Sequence, residues 1–131
     1  MLAAICNHLE AKDLKDEINN ALISIETTSI KHFRKLLRQG TETEFSNVIL
    51  TPKWLIYAVK TAKNQLSVIS GRLTHLRIES YEKSSMHKVI PDTGLNVFGF
   101  FIDEGSGMIF IGLGPEEAAQ RFRDQLNKAV N

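Results

Sequence analysis

Apolar residues recur at helical spacing at the start of the chain. Leu2, Ile5 and Leu9 form one series; Leu14, Ile18, Ala21, Leu22 and Ile25 form a second, after a shift of phase near Lys12. Asp13, Lys15, Asp16 and Glu17 fill the opposite side. The pattern predicts a helical segment over residues 2–25, kinked or split in two, with Asn19-Asn20 weakening its middle. Residues 26–40 read two ways. Ile30, Phe33, Leu36 and Leu37 fit a helix, whereas Ile25-Glu26-Thr27-Thr28-Ser29 disfavours a helix interior and suits a twisted first strand. Gly40 ends the segment in either case.

From Glu44 the chain reads as strands. Phe45 to Leu50 is an apolar run, and Thr51-Pro52-Lys53 supplies a tight turn. Along Trp54–Lys60, Trp54, Ile56 and Ala58 share one face, and Leu55, Tyr57 and Val59 share the other. A turn at Lys63-Asn64 leads to an alternating stretch over 66–70, a bend at Gly71 and a further strand over 73–81. Leu95–Ile102 and Met108–Leu113 form a hairpin around Asp103-Glu104-Gly105-Ser106-Gly107. Both its faces are apolar, so it is expected to lie centrally or be covered on both sides. The final element is an amphipathic helix. Gly114 stands at its cap, Pro115 at its first position, and Glu116 and Glu117 in its first turn. Ala118, Ala119, Phe122, Leu126, Ala129 and Val130 form its apolar stripe; Gln120, Arg121, Arg123, Asp124 and Lys128 face away.

The strands number six between residues 44 and 113, or seven if residues 29–38 join them. A meander that ends in an amphipathic helix must bury that helix's stripe. Plugging the open end of a bent sheet does so economically. This order resembles the pleckstrin-homology-like superfamily. Asn47-Val48-Ile49-Leu50-Thr51-Pro52-Lys53-Trp54-Leu55-Ile56-Tyr57 is similar to the "strand, Leu-Thr, short turn, hydrophobic strand" signature of bacterial PH-like and GRAM-like domains. Residues 66–80 look like the following strand pair, and residues 95–113 and 115–130 match the family's closing hairpin and helix. The resemblance covers residues 29–131. It implies a mostly β fold with flanking helices: a bent antiparallel barrel of about seven strands, capped by the C-terminal helix. Residues 1–28 would be an N-terminal helical extension.

Composition narrows the chemistry. The 131 residues carry 16 Lys+Arg against 15 Asp+Glu, a formal charge of +1, which gives no general attraction to nucleic acid. With 43% hydrophobic and 24% charged residues, the composition is that of a globular chain that buries a core. Cys6 is the one cysteine, so neither an intramolecular disulfide nor a multi-cysteine metal site is available. No apolar run approaches the roughly 20 residues of a membrane helix, and the N-terminus lacks a signal peptide's basic start. A cytoplasmic protein is the expectation.

Candidate sites follow. In lipid-binding PH domains, basic residues on the first strand grip phosphates; the resemblance therefore points to Lys31, Arg34, Lys35 and Arg38 as anion or lipid contacts. Glu42 and Glu44 in the next loop oppose that role. His75, Arg77 and Glu79 share a strand face, either as an ion or anion site or as a solvated row of ion pairs. Residues 82–94 form the longest connection. In it Met86, His87, Lys88, Val89 and Ile90 are a candidate protein-contact loop if exposed, or core anchors if not. With Lys83, the loop's charge suits at most a weak peripheral membrane contact. Gly-x-Ser-x-Gly is missing, and Gly112-Leu113-Gly114 lacks the third glycine, the lysine and the βαβ setting of a phosphate-binding turn. No cofactor or catalytic group is implied. The sequence reads as a non-catalytic protein-interaction module, with self-association as one outcome and anionic-ligand binding as the alternative.

Overall fold

The computed structural model describes the backbone of residues 2–12, 14–35, 38–60 and 63–130, and the side chains of the same residues other than 2, 15, 18 and 28–43. Helix α1 spans Leu2–Ala11, and a 3-10 helix follows over Lys15–Asn20. Strands β1 (Ile23–Lys35), β2 (Arg38–Leu50), β3 (Trp54–Lys60), β4 (Leu66–Ser80), β5 (Gly94–Phe101) and β6 (Gly105–Gly112) come next, and helix α2 covers Glu117–Val130. All six strands form one antiparallel sheet in chain order. The fold is mostly β with flanking helices. Among the described residues no helix is long and apolar enough to cross a membrane.

Two expectations about the N-terminal half need correction. The helical series breaks near Lys12, as its phase shift predicts, but the second half is a single 3-10 stretch and the chain is already extended at Ile23. Ile23 and Ile25 also alternate with Ser24 and Glu26, and pairing of β1 with β2 residue for residue selects this period of two. The first strand therefore begins ahead of residue 29. Residues 36 and 37 lie outside the described residues.

The described residues contain six strands where about seven are expected. The stretches over 66–70 and 73–81 are one strand, because a bulge between Gly71 and Leu76 shifts its register against β5. Ile69 before the irregularity and Leu73 within it face the main core, and Leu76 and Ile78 face it afterwards. The irregularity thus flips side-chain parity without ending the strand. Gly99 permits the close approach. Its φ is +151°, and a Cβ there would lie 2.1 Å from the His75 carbonyl oxygen.

Each face of the sheet has a helix. Val48, Leu50 and Leu55 join Leu95, Val97, Phe101 and Ile111 in the main core, into which α2 inserts Ala119, Phe122 and Leu126. α2 touches both β1 and β4, so the sheet curls around it, although the hydrogen-bond ladder leaves β1 and β6 as edges. On the opposite face Ile5 and Leu9 of α1 pack on Ile49, Ile56 and Ala58. The alternation read from Trp54–Lys60 is what sends Leu55 and Tyr57 to one core and Ile56 and Ala58 to the other. Helix α2 starts at Glu117, two residues later than Pro115, with the Glu116 carbonyl accepting its first bond from the Gln120 amide at 3.0 Å. Ala118 and Ala129 are exposed, so the buried stripe is narrower than the apolar one.

Thr51 fixes the β2–β3 turn. Its Oγ1 accepts from the Trp54 amide at 2.9 Å and donates toward Glu17 Oε2 at 3.3 Å, tying the 3-10 helix to the sheet. The β5–β6 turn occupies residues 102–104, with Asp103 in the left-handed region at φ 64°, and is tighter than the expected five-residue turn. Asp103 also pairs with Lys12 at the end of α1.

Candidate functional site

The connection from Tyr81 to Thr93 is ordered by polar and aromatic anchors rather than by its aliphatic residues. Tyr81 and its two successors form one 3-10 turn, and Ser85–Lys88 forms another. Tyr81 is buried; its hydroxyl donates to the Ile90 carbonyl at 2.6 Å, and its ring packs on Phe110 at 4.8 Å and edge-on to His87 at 5.8 Å. Ser84 Oγ donates to the Tyr81 carbonyl at 2.7 Å.

Glu82 joins this loop to α2. Its Oε1 accepts from Arg123 Nη2 at 2.9 Å and from the Gly94 amide at 3.1 Å, and Ser80 Oγ donates to its other oxygen. Arg123 also donates to the Gly94 carbonyl at 3.1 Å. Burial alone would raise the Glu82 carboxyl. The hydrogen bonds from Ser80, from its own amide, from Arg123 and from Gly94 outweigh burial and hold its pKa down at about 2. Arg123 therefore does not belong to a purely wet helix face, as its polarity suggests. The i, i+4 periodicity of α2 carries no trace of a partner on another element.

With those anchors in place the aliphatic residues are left outside. Met86 is 50% exposed, Val89 75% and Ile90 41%. Of the two sequence readings of this loop, core anchoring is thus ruled out for all three, because Tyr81 occupies that role. His87 is half-buried against Tyr81, and Lys88 is exposed.

The hairpin of β5 and β6 is not covered on both sides. Leu95, Val97, Phe101 and Ile111 enter the core, but Phe100 and Met108 are 51% and 54% exposed on the other face. Arg77 of the row on β4 lies over the Phe98 ring at 4.9 Å and pairs with Glu79 at 3.0 Å, and His75 meets Phe100 edge-on. The row is a set of ion-pair and ring contacts. Among the described residues no group of three His, Cys, Asp or Glu is placed to hold a metal ion.

The basic candidates lie on the distal part of the β1–β2 hairpin. Its register sets Lys35 opposite Arg38, Arg34 opposite Gln39 and Lys31 opposite Glu42. β3 pairs only with Phe45–Leu50 of β2, beyond this stretch. The side chains of Lys31, Arg34, Lys35 and Arg38 lie outside the described residues.

Two further features were not legible in sequence. A cleft of about 430 Å³ opens between β1 and the end of β6, lined by Ile25, Glu26, Thr27, Asp92, Leu113 and Glu116 among others. Gly112-Leu113-Gly114 lies on it, and the surrounding carboxylates make it hostile to phosphate. His8 Nε2 lies 3.0 Å from Ser70 Oγ, the spacing of an activated serine, but Ser70 is wholly buried beneath α1. Compared with protein-family models, curated proteins and solved structures, the chain matches none.

Proposed function

We propose that the chain is a non-catalytic protein-interaction module on a PH-like scaffold, and that the loop carrying Met86, His87, Lys88, Val89 and Ile90 is its contact surface. The observation behind this reading is the exposure of three aliphatic side chains on a loop already tied down by Tyr81, Glu82 and Arg123. Holding such residues out in water in a fixed arrangement lowers the ordering cost of binding and supplies apolar anchors. Lys83 and Lys88 at their flanks favour a partner surface that is apolar with an acidic rim. On this reading β4 counts as two family strands joined at its bulge, which makes seven with the other five, and α2 is the barrel's stopper.

The test places a photo-crosslinking amino acid at Val89 of the full chain, identifies the captured protein, and measures its affinity as a purified pair. The triple variant Met86→Ser, Val89→Ser, Ile90→Ser should bind at least about tenfold more weakly. Equal binding by a folded triple variant would overturn the reading.

A second reading is anionic-lipid contact through Lys31, Arg34, Lys35 and Arg38. It is favoured by the register that gathers these residues on a two-stranded stretch beyond β3. Sedimentation with acidic vesicles at low salt tests it, because screening is then weakest. Failure to pellet removes this reading and leaves the first intact.

A further inference from the structure

β6 is an edge of the hydrogen-bonded ladder that β1 approaches without pairing, and its own sequence carries none of the usual protections. Natural edges are blunted by charge, proline or bulges. Gly105–Gly112 reads Gly-Ser-Gly-Met-Ile-Phe-Ile-Gly, without charge or proline, and pairs with β5 in unbroken register.

The direction of its free backbone groups follows from one bond. The Leu113 amide donates to the Thr93 carbonyl at 3.1 Å, so the positions bonded toward β5 are Leu113, Ile111, Ile109 and Gly107. The amides and carbonyls of Ser106, Met108 and Phe110 consequently point away from β5. Ser106, Gly107 and Met108 are also the exposed positions of this strand. A Cβ added at Gly107 would meet nothing within 4 Å.

We propose that β6 pairs with β6 of a second copy of this chain, antiparallel, about a two-fold axis at Gly107. In that register Ser106 of each copy exchanges both backbone hydrogen bonds with Met108 of the other. The two sheets become one, and the exposed Met108 side chains, with Phe98 and Phe100 beside them, are brought together on one face. A second copy fits this edge better than a foreign peptide. The strand has no charged side chain to select one, whereas two uncharged copies meet without repulsion. In this register Asp103 and Glu104 of each turn fall opposite Ile111 and Phe110 of the partner strand. The proposal does not depend on the loop reading above.

The test is light scattering of the full chain at micromolar concentration, alone and as Met108→Pro and Met108→Lys. Proline at Met108 removes an amide that β5 does not use, so the variant keeps its own ladder and loses the pairing with the copy. Lysine installs the missing edge charge. The wild type should run at twice the monomer mass and each variant at the monomer mass, with unchanged far-ultraviolet circular dichroism. Amide exchange at Ser106 and Met108 of the wild type should slow as concentration rises, a readout independent of any variant. A wild type that stays monomeric, a dimer that survives both substitutions, or exchange at these amides that ignores concentration would overturn the proposal.

Discussion

His8 on α1 is hydrogen-bonded through Nε2 to the hydroxyl of Ser70 on β4, across the interface that holds the N-terminal helix to the sheet. Burial is the larger cause, and the nearby Lys12 charge the smaller, that lowers the His8 pKa below its ordinary 6.5. The folded state therefore binds this proton less readily than the unfolded chain. Stability from the neutral imidazole is fully present above pH 6.5 and is lost as pH falls through the lowered folded value. Thermal unfolding at pH 7.5 and 5.5 should show a drop that His8→Gln, which cannot titrate, makes smaller.

Glu82 titrates with the same sense at lower pH. Its contribution is complete above the usual 4.5 and fades as pH approaches about 2. Acid unfolding of Glu82→Gln should be flatter over that window than that of the wild type. At neutral pH Arg123→Ala should cost about 1–2 kcal/mol, a value reduced by the partial solvent access of the pair. Hydrogen exchange should rise in residues 81–94 before it rises in the strands.

Gly99→Ala should destabilise the protein by about 2–4 kcal/mol, since it adds overpacking against His75 to an unfavourable positive φ. Gly107→Ala, in open space, should change stability by less than about 1 kcal/mol. Chemical denaturation of both variants checks the contrast.

Phe122 and Leu9 report on opposite faces of the sheet. Phe122→Ala should cost about 3–5 kcal/mol and Leu9→Ala about 2–4 kcal/mol, because both side chains are wholly buried. Ala118→Ser should cost little, although Ala118 belongs to the same apolar stripe in sequence, because it is exposed. Urea midpoints measured in one buffer separate the three.

Where one residue-to-residue pattern dictates the outcome, the sequence was a sufficient guide. Alternation along Trp54–Lys60 assigns Leu55 and Tyr57 to one core and Ile56 and Ala58 to the other, and the central residues of α2 follow its 3.6-residue period. Elsewhere two patterns compete. Ala21 to Ile25 satisfies helical spacing, yet Ile23 and Ile25 are a strand pair, decided by β2 from outside the segment. The bulge in β4 reverses parity midway, so a single strand carries the pattern of two. At the loop the aliphatic residues were identifiable, but their exposure was not. It depends on Tyr81 taking the inner position and on Arg123 reaching across from α2. Neither relationship has a local signature.

Every strand lies beside its neighbour in the chain. The sheet can therefore zip up through successive hairpins, with little entropy spent on closing large loops. The distant events are the folding back of α1 onto β4 and the reach of α2 to β1. The first ties the N-terminal helix to an interior strand and the second ties the C-terminal helix to the first strand, so an otherwise ladder-like assembly is expected to unfold as one cooperative unit.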